Sequence, residues 1–432
     1  MRLRAILASL ILFPSLAGAG DFFTLKGHGG PIAAIDVSPD GETILTASFD
    51  YSLGLWKDGV PTWLEAHRAG VNTVKFVNDH LAVSAGDDSD LYYWNLESRS
   101  ARRLAGHKGK IKSVAVSPDG RRVASASWDR SIGIWPVDGG EPEFLTGHRS
   151  SVNDVVFSGD GSRLFSASAD GTIRVWRLSD GAQVQTLVRH GFGVNTLAAD
   201  FKNGWLAYGA IDGAARIVEI EDGTLIKDFT KGSRPILAMA ADLDSAKLAV
   251  GDIEGNIRIL DTEDWRVVRE FRASLRGPIW ALRFSADGSN IHAGGLDDAM
   301  YSWPVDTRLG RERMSREQFA FLRRPGEMTN GERQFQRKCS ICHTLTPDSR
   351  RRAGPTLHGI FGRRAGELSG YNFSPSLRQS DIVWSAETID QLFDLGPDHF
   401  IPGSKMPMQR IVQPQDRIDL IEYLRDAASM EN

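Results

Sequence analysis

A unit of about 41 residues recurs along residues 22 to 306, and it constrains the fold more than any other feature. The pattern is clearest from Gly106-His107 to Trp135 and from Gly147-His148 to Trp176. Each unit opens on Gly-His, runs through a valine-rich stretch and passes Ser-x-Asp-Gly. It then gives Ser-Ala-Ser-x-Asp and closes on Ile-x-Ile-Trp or Ile-x-Val-Trp. Histidines recur at 28, 67, 107, 148 and 190, and the closing positions are Trp56, Trp94, Trp135, Trp176, Val218, Leu260 and Trp303, which makes seven units. A fixed period of this length means one supersecondary unit stacked on copies of itself, because a single unit cannot bury its apolar face alone. Turn sequences such as Ser38-Pro39-Asp40-Gly41 and Ser117-Pro118-Asp119-Gly120 separate alternating apolar runs, as expected of short antiparallel strands.

Gly-His at the start and Trp at the end of a 40–45-residue period resemble WD repeats, with four strands per propeller blade. The resemblance implies a seven-bladed all-β propeller over residues 20–306, with Asp21 to Lys26 supplying the outer strand of the last blade and so closing the ring. It also implies that the repeated polar groups are structural. His107, Ser127, Asp129 and Trp135 in one unit, and His148, Ser168, Asp170 and Trp176 in the next, are expected to tie the strands of a blade together. The second residue of each first strand is expected on the rim that serves function: Ala33, Asn72, Lys112, Asn153, Asn195, Leu237 and Trp280. Phe49 and Trp128, each preceding a turn aspartate, join them. Trp280, Trp128 and Lys112 are the candidate docking residues, since large aromatics dominate interface energetics; local packing is the alternative for the two tryptophans.

The only two cysteines of the 432-residue chain lie in Cys339-Ser340-Ile341-Cys342-His343. C-x-x-C-H is the attachment signature of c-type haem, two thiols for the vinyl groups and an adjacent imidazole for the iron. A zinc site would need about two further ligands at metal spacing. A redox dithiol would need a βαβ context, and the flanks here are helical in pattern.

Gly354-Pro355-Thr356-Leu357-His358-Gly359, Ile401-Pro402-Gly403-Ser404-Lys405-Met406-Pro407 and a helical pattern over Asp416–Asp426 follow the motif. Together they make residues 328–432 resemble a class I c-type cytochrome, a small all-α domain. The resemblance implies one covalent haem c on Cys339 and Cys342, His343 as proximal ligand and Met406 as second axial ligand. It further implies that the Pro355 carbonyl accepts the His343 N–H, that Arg363 and Trp384 hold a propionate, and that Gly331 and Phe335 cross Tyr423 and Leu424. Phe373 and Leu392 stand where relatives often carry tyrosine. Met408 is the rival axial ligand, and His358 or His399 would give a His/His pair. Lys405, Lys338 and Arg350–Arg352 are candidates for a positive ring around the haem edge, steering an acidic partner.

Arg2 and Arg4, the largely apolar stretch Ala5–Phe13 and Ala17-Gly18-Ala19 read as a secretory signal peptide, 1–19, which implies a periplasmic protein with no transmembrane segment after cleavage. Residues 307–327, rich in arginine, read as a linker. With a formal net charge of −4, nucleic acid is not an expected partner. The combination points to an electron-transfer protein whose propeller docks it to a periplasmic redox protein or enzyme complex. Two alternatives stand beside it: an oxidoreductase holding a second cofactor in the propeller, for which His190 and His292 are the available histidines, and a redox-responsive scaffold.

Overall fold

The computed structural model describes residues 20–274, 277–306, 328–347, 353–371, 373–404, 406 and 409–428. The expected signal peptide and linker lie outside them, as do Lys405, Met408 and Arg350–Arg352.

Seven four-stranded antiparallel sheets follow one another, each the size of one sequence unit. The first strands of neighbouring blades pack side by side around the ring, and Ile279–Phe284 of the seventh blade returns against Ile32–Val37 of the first. Closure is as expected. Phe23–Lys26 pairs with Ala299–Pro304, in register Phe23↔Ser302 to Lys26↔Ala299, and completes the seventh sheet. The N-terminal strand thus locks the C-terminal blade, and no blade is left with an open joint.

In all seven blades the ladder between first and second strand skips one residue at the same place, between 32/34, 71/73, 111/113, 152/154, 194/196, 236/238 and 279/281. The skipped residues are Ala33, Asn72, Lys112, Asn153, Asn195, Leu237 and Trp280. A bulge re-aims its side chain out of the ladder. Three of these side chains bind the next blade instead: Asn72, Asn153 and Asn195 donate to the carbonyls of Ile111, Val194 and Ile236.

The polar chain within a blade differs from the expected one by one residue. Trp135 Nε1 donates to Ser125, at 2.7 Å; Ser125 lies 2.7 Å from His107 Nε2, and His107 Nδ1 lies 2.8 Å from Asp129. Ser166, His148 and Asp170 repeat this below Trp176. Ser127 and Ser168 stand two residues further on and bind backbone instead, including the N–H of Asp129 and Asp170. The linking serine is therefore Ser125 or Ser166. The serines at 125 and 127 share a face because side chains alternate along a strand, and only the one level with the Trp indole is close enough to bridge.

Blade 7 has Ala293 where Ser125 and Ser166 stand, and the buried Trp303 Nε1 has no hydrogen-bond partner among the described residues. Its His292 sits on the second strand, 3.0 Å from Ser302 Oγ. Burial pushes this imidazole down to about 4, against the raising influence of Asp287 and with some help from Arg283. The folded value lies below the ordinary ~6.5, so the fold prefers the neutral ring. This contribution is complete above about pH 6.5 and is lost as the pH falls toward 4, where the unfolded chain takes up a proton that the native one refuses. The loss is about 3 kcal/mol by pH 4. Thermal melts at pH 7.5 and 4.5 check it: His292→Gln should narrow the gap between the two melting temperatures.

The second body is helical. Helix α1 (Asn330–Lys338) starts at Thr329, whose hydroxyl accepts the Glu332 N–H. Short helices α2 (Pro375–Arg378), α3 (Ala386–Leu395) and α4 (Pro397–Phe400) lead to α5 (Pro414–Ala428). A capping box between Ser385 and Thr388 starts α3. α1 crosses α5 at Gly331, where a Cβ would be 2.7 Å from Tyr423 Cβ and inside contact of the Asp419 carbonyl. Phe335 and Tyr423 meet with ring centroids 5.6 Å apart. Phe335, Leu357, Ile389, Leu392, Leu420 and Leu424 form the core between the helices. Among the described residues no helix is long and apolar enough to cross a membrane.

Candidate functional site

The C-terminus of α1 builds the site. Cys339 caps the helix, and the chain then makes one more turn, with the N–H groups of Cys342 and His343 bonding to the Cys339 carbonyl at 3.0 and 2.9 Å. That turn sets both sulfurs and the imidazole along one cavity of about 620 Å³, within the range of cofactor sites (about 300–1,000 Å³). His343 Nδ1 donates to the Pro355 carbonyl at 2.7 Å, which leaves Nε2 as the nitrogen available to a metal. Burial pushes the His343 pKa down, opposed by the Pro355 bond and helped by the Arg363 charge, so the ring is held neutral, the form that ligates. Gly354 lies flat against this ring, and a Cβ there would sit 2.6 Å from His343 Nδ1.

The remaining predicted residues converge on the same cavity. Met406 lines it, placed by a turn in which Ser404 N–H bonds to the Ile401 carbonyl and Met406 N–H to Ser404 Oγ. Arg363 and Trp384 line it side by side, held by the Trp384 N–H bond to the Arg363 carbonyl, 3.0 Å. The Arg363 guanidinium donates to the carbonyls of Thr356 and His358, and burial pushes its pKa down. Phe373 and Leu392 are on the wall as apolar groups. His358 and His399 are not on it, and His399 is exposed. The buried Gln409 Oε1, also on the wall, has no partner among the described residues.

The fit to a haem is good. A slot mostly of apolar side chains contains one neutral imidazole, one thioether and two cysteine thiols outside any disulfide, with Arg363 and Arg364 as the helical domain's guanidinium groups and Lys338, Lys110 and Lys112 as further cations on the wall. Among the described residues no group of three or more His, Cys, Asp and Glu is arranged to hold a bare metal ion.

Three candidate docking residues of the propeller, Trp280, Trp128 and Lys112, line this same cavity, as do Ala33, Phe49 and Asn72. His190 and His292 do not; His190 is bound to Asp212 at 3.0 Å. Tyr51, Lys110 and Tyr371 also line the cavity, and sequence reasoning missed them. For Tyr51 a signal existed. It follows the turn aspartate at φ 72, a position that Ser89 and Arg130 hold at φ 64 and 76 in blades 2 and 3 and that is Gly171, Gly213 and Gly255 in blades 4, 5 and 6. A bulky residue in that region is a genuine outlier and worth a functional question.

A seven-bladed propeller joined to a small helical domain whose cavity gathers Cys-x-x-Cys-His and a methionine defines the class, a cytochrome carried on a WD-repeat module. Comparison with known families agrees. The model of the WD domain, G-beta repeat, matches residues 21–57, 98–136 and 141–177, and that of cytochrome c matches residues 328–428. Cytochrome c of Ginkgo biloba is 38% identical over 107 residues, 25% of this chain and 94% of that protein. Cytochrome c of Sesamum indicum is 37% identical over 105 residues, 24% and 94%, and that of Arabidopsis thaliana 35% over 109 residues, 25% and 96%. The chain belongs to the cytochrome c family through this last quarter of its length. The domain implies haem c and electron transfer, and the WD repeats imply protein interaction.

Proposed function

We propose that the protein is a periplasmic electron carrier that binds one haem c covalently through Cys339 and Cys342, and whose propeller engages a partner redox protein or enzyme complex. The observation that carries the reading is the meeting of Cys339, Cys342, His343 and Met406 on one cavity. When bound, haem c supplies a one-electron ferric/ferrous couple. His343 and Met406 would hold the iron, and a His/Met donor pair raises its potential. Pro355 fixes the imidazole, Arg363 and Trp384 would meet the propionates, and the apolar wall would shield the haem from water. With both residues on the iron, no position would be left there for a substrate. The export signal read at residues 1–19 supports the periplasm, since c-type haem is attached outside the cytoplasmic membrane.

An anaerobic redox titration of the purified protein, followed by absorbance with and without carbon monoxide, tests this. A one-electron curve and a ferrous spectrum indifferent to carbon monoxide are expected. Carbon monoxide binding at neutral pH would show an open position and turn the reading toward an enzyme or sensor.

A further inference from the structure

The cavity has two walls, and the propeller supplies the second. Four bulge positions of consecutive blades lie on it: Trp280 of blade 7 and Ala33, Asn72 and Lys112 of blades 1 to 3. The bulge residues of blades 4, 5 and 6 do not, so the helical domain sits off-centre on the ring. Phe49 and Trp280 meet at a tilt with centroids 5.5 Å apart, and the Lys110 ammonium lies 5.6 Å from the Trp128 ring. The contact is specific as well as apolar. Ala353 N–H donates to the Gly29 carbonyl of blade 1 at 3.2 Å. The Tyr51 and Tyr371 hydroxyls hydrogen-bond one another, and Tyr371 also donates to the Ala353 carbonyl. Ala353 adjoins Gly354, against the His343 ring, and lies two residues from Pro355, the acceptor of His343. Tyr51 and Cys342 line the same cavity.

We propose that the haem site is a two-domain site, in which blades 7, 1, 2 and 3 cover the haem edge beside Cys342 and, through Gly29 and Tyr51, hold the Ala353–Pro355 segment that positions His343. The inference rests on the haem reading above. Its consequence is that the face suited to a partner is engaged within the chain, and a protein partner reaches this edge only when the two domains part. Aromatic anchors at the centre of such a contact set its strength.

The test uses the full-length holoprotein and ferricyanide as a small oxidant of the ferrous haem. Oxidation should be about tenfold faster in Phe49→Ala/Trp280→Ala, on the scale set by removing aromatic anchors. Leu237→Ala, the equivalent bulge position of blade 6, should match wild type. Amide exchange at 29–33 and 353–357 should quicken in the double variant alone. If that variant does not fold, Trp128→Ala, at a residue that is 50% exposed, is read in the same way. A folded variant with wild-type oxidation and unchanged exchange would overturn the proposal. Absence of haem from the wild-type chain would instead defeat the functional reading, and the exchange data would still decide whether the two walls meet.

Discussion

Met406→Ala should lower the reduction potential by on the order of 100 mV, a modest part of the ~0.8 V over which axial ligands tune haem iron, and should open the iron to carbon monoxide. A thioether is a soft, neutral donor that favours the ferrous state. Alanine offers no donor, so water or nothing takes its place. The backbone turn that delivers Met406 is made by Ile401, Gly403 and Ser404 and does not depend on the thioether, so the domain should stay folded. Spectroelectrochemistry of the variant reads both effects. An unchanged potential would assign the sixth position to another residue, Met408 first among them.

Gly331→Val should unfold the helical domain's packing while leaving the propeller intact. At Gly331 the two terminal helices touch backbone to backbone, and any Cβ would overlap the Asp419 carbonyl and Tyr423. The helices can relieve the overlap only by separating, which loosens Phe335 from Leu420 and Leu424. Overpacking costs typically about 1–3 kcal/mol, and a β-branched residue at a backbone contact belongs at or above the top of that range. Calorimetry should show the propeller transition unshifted and the helical one lowered or lost, with poorer haem retention. A single unshifted transition would mean that the helices do not cross at Gly331.

Much of this was legible in the sequence because it repeats. Period and turn chemistry point to seven blades, and the WD resemblance to the closing strand and the rim positions; the blades are stated several times over, so an error in one is corrected by the others, while the bulges at the rim positions were not foreseen. The haem-type cavity was legible for a different reason: Cys339, Cys342 and His343 are bound by covalent spacing to one helical turn. Two other things were not. The serine of the polar chain was placed at 127 rather than 125, because both positions face the same way and only depth in the sheet separates them. The meeting of Tyr51 with Tyr371 could not be read at all. A contact between two bodies has no period, and which face of a ring receives its neighbour depends on shape rather than on local pattern.

The central claim is a single covalent haem c on Cys339 and Cys342. The most direct measurement is the absorption spectrum of the mature protein before and after extraction with acidified acetone. One c-type spectrum should stay with the chain and be lost as bound pigment in Cys339→Ala/Cys342→Ala. A pigment that leaves with the solvent, or a second chromophore beside the haem, would contradict it.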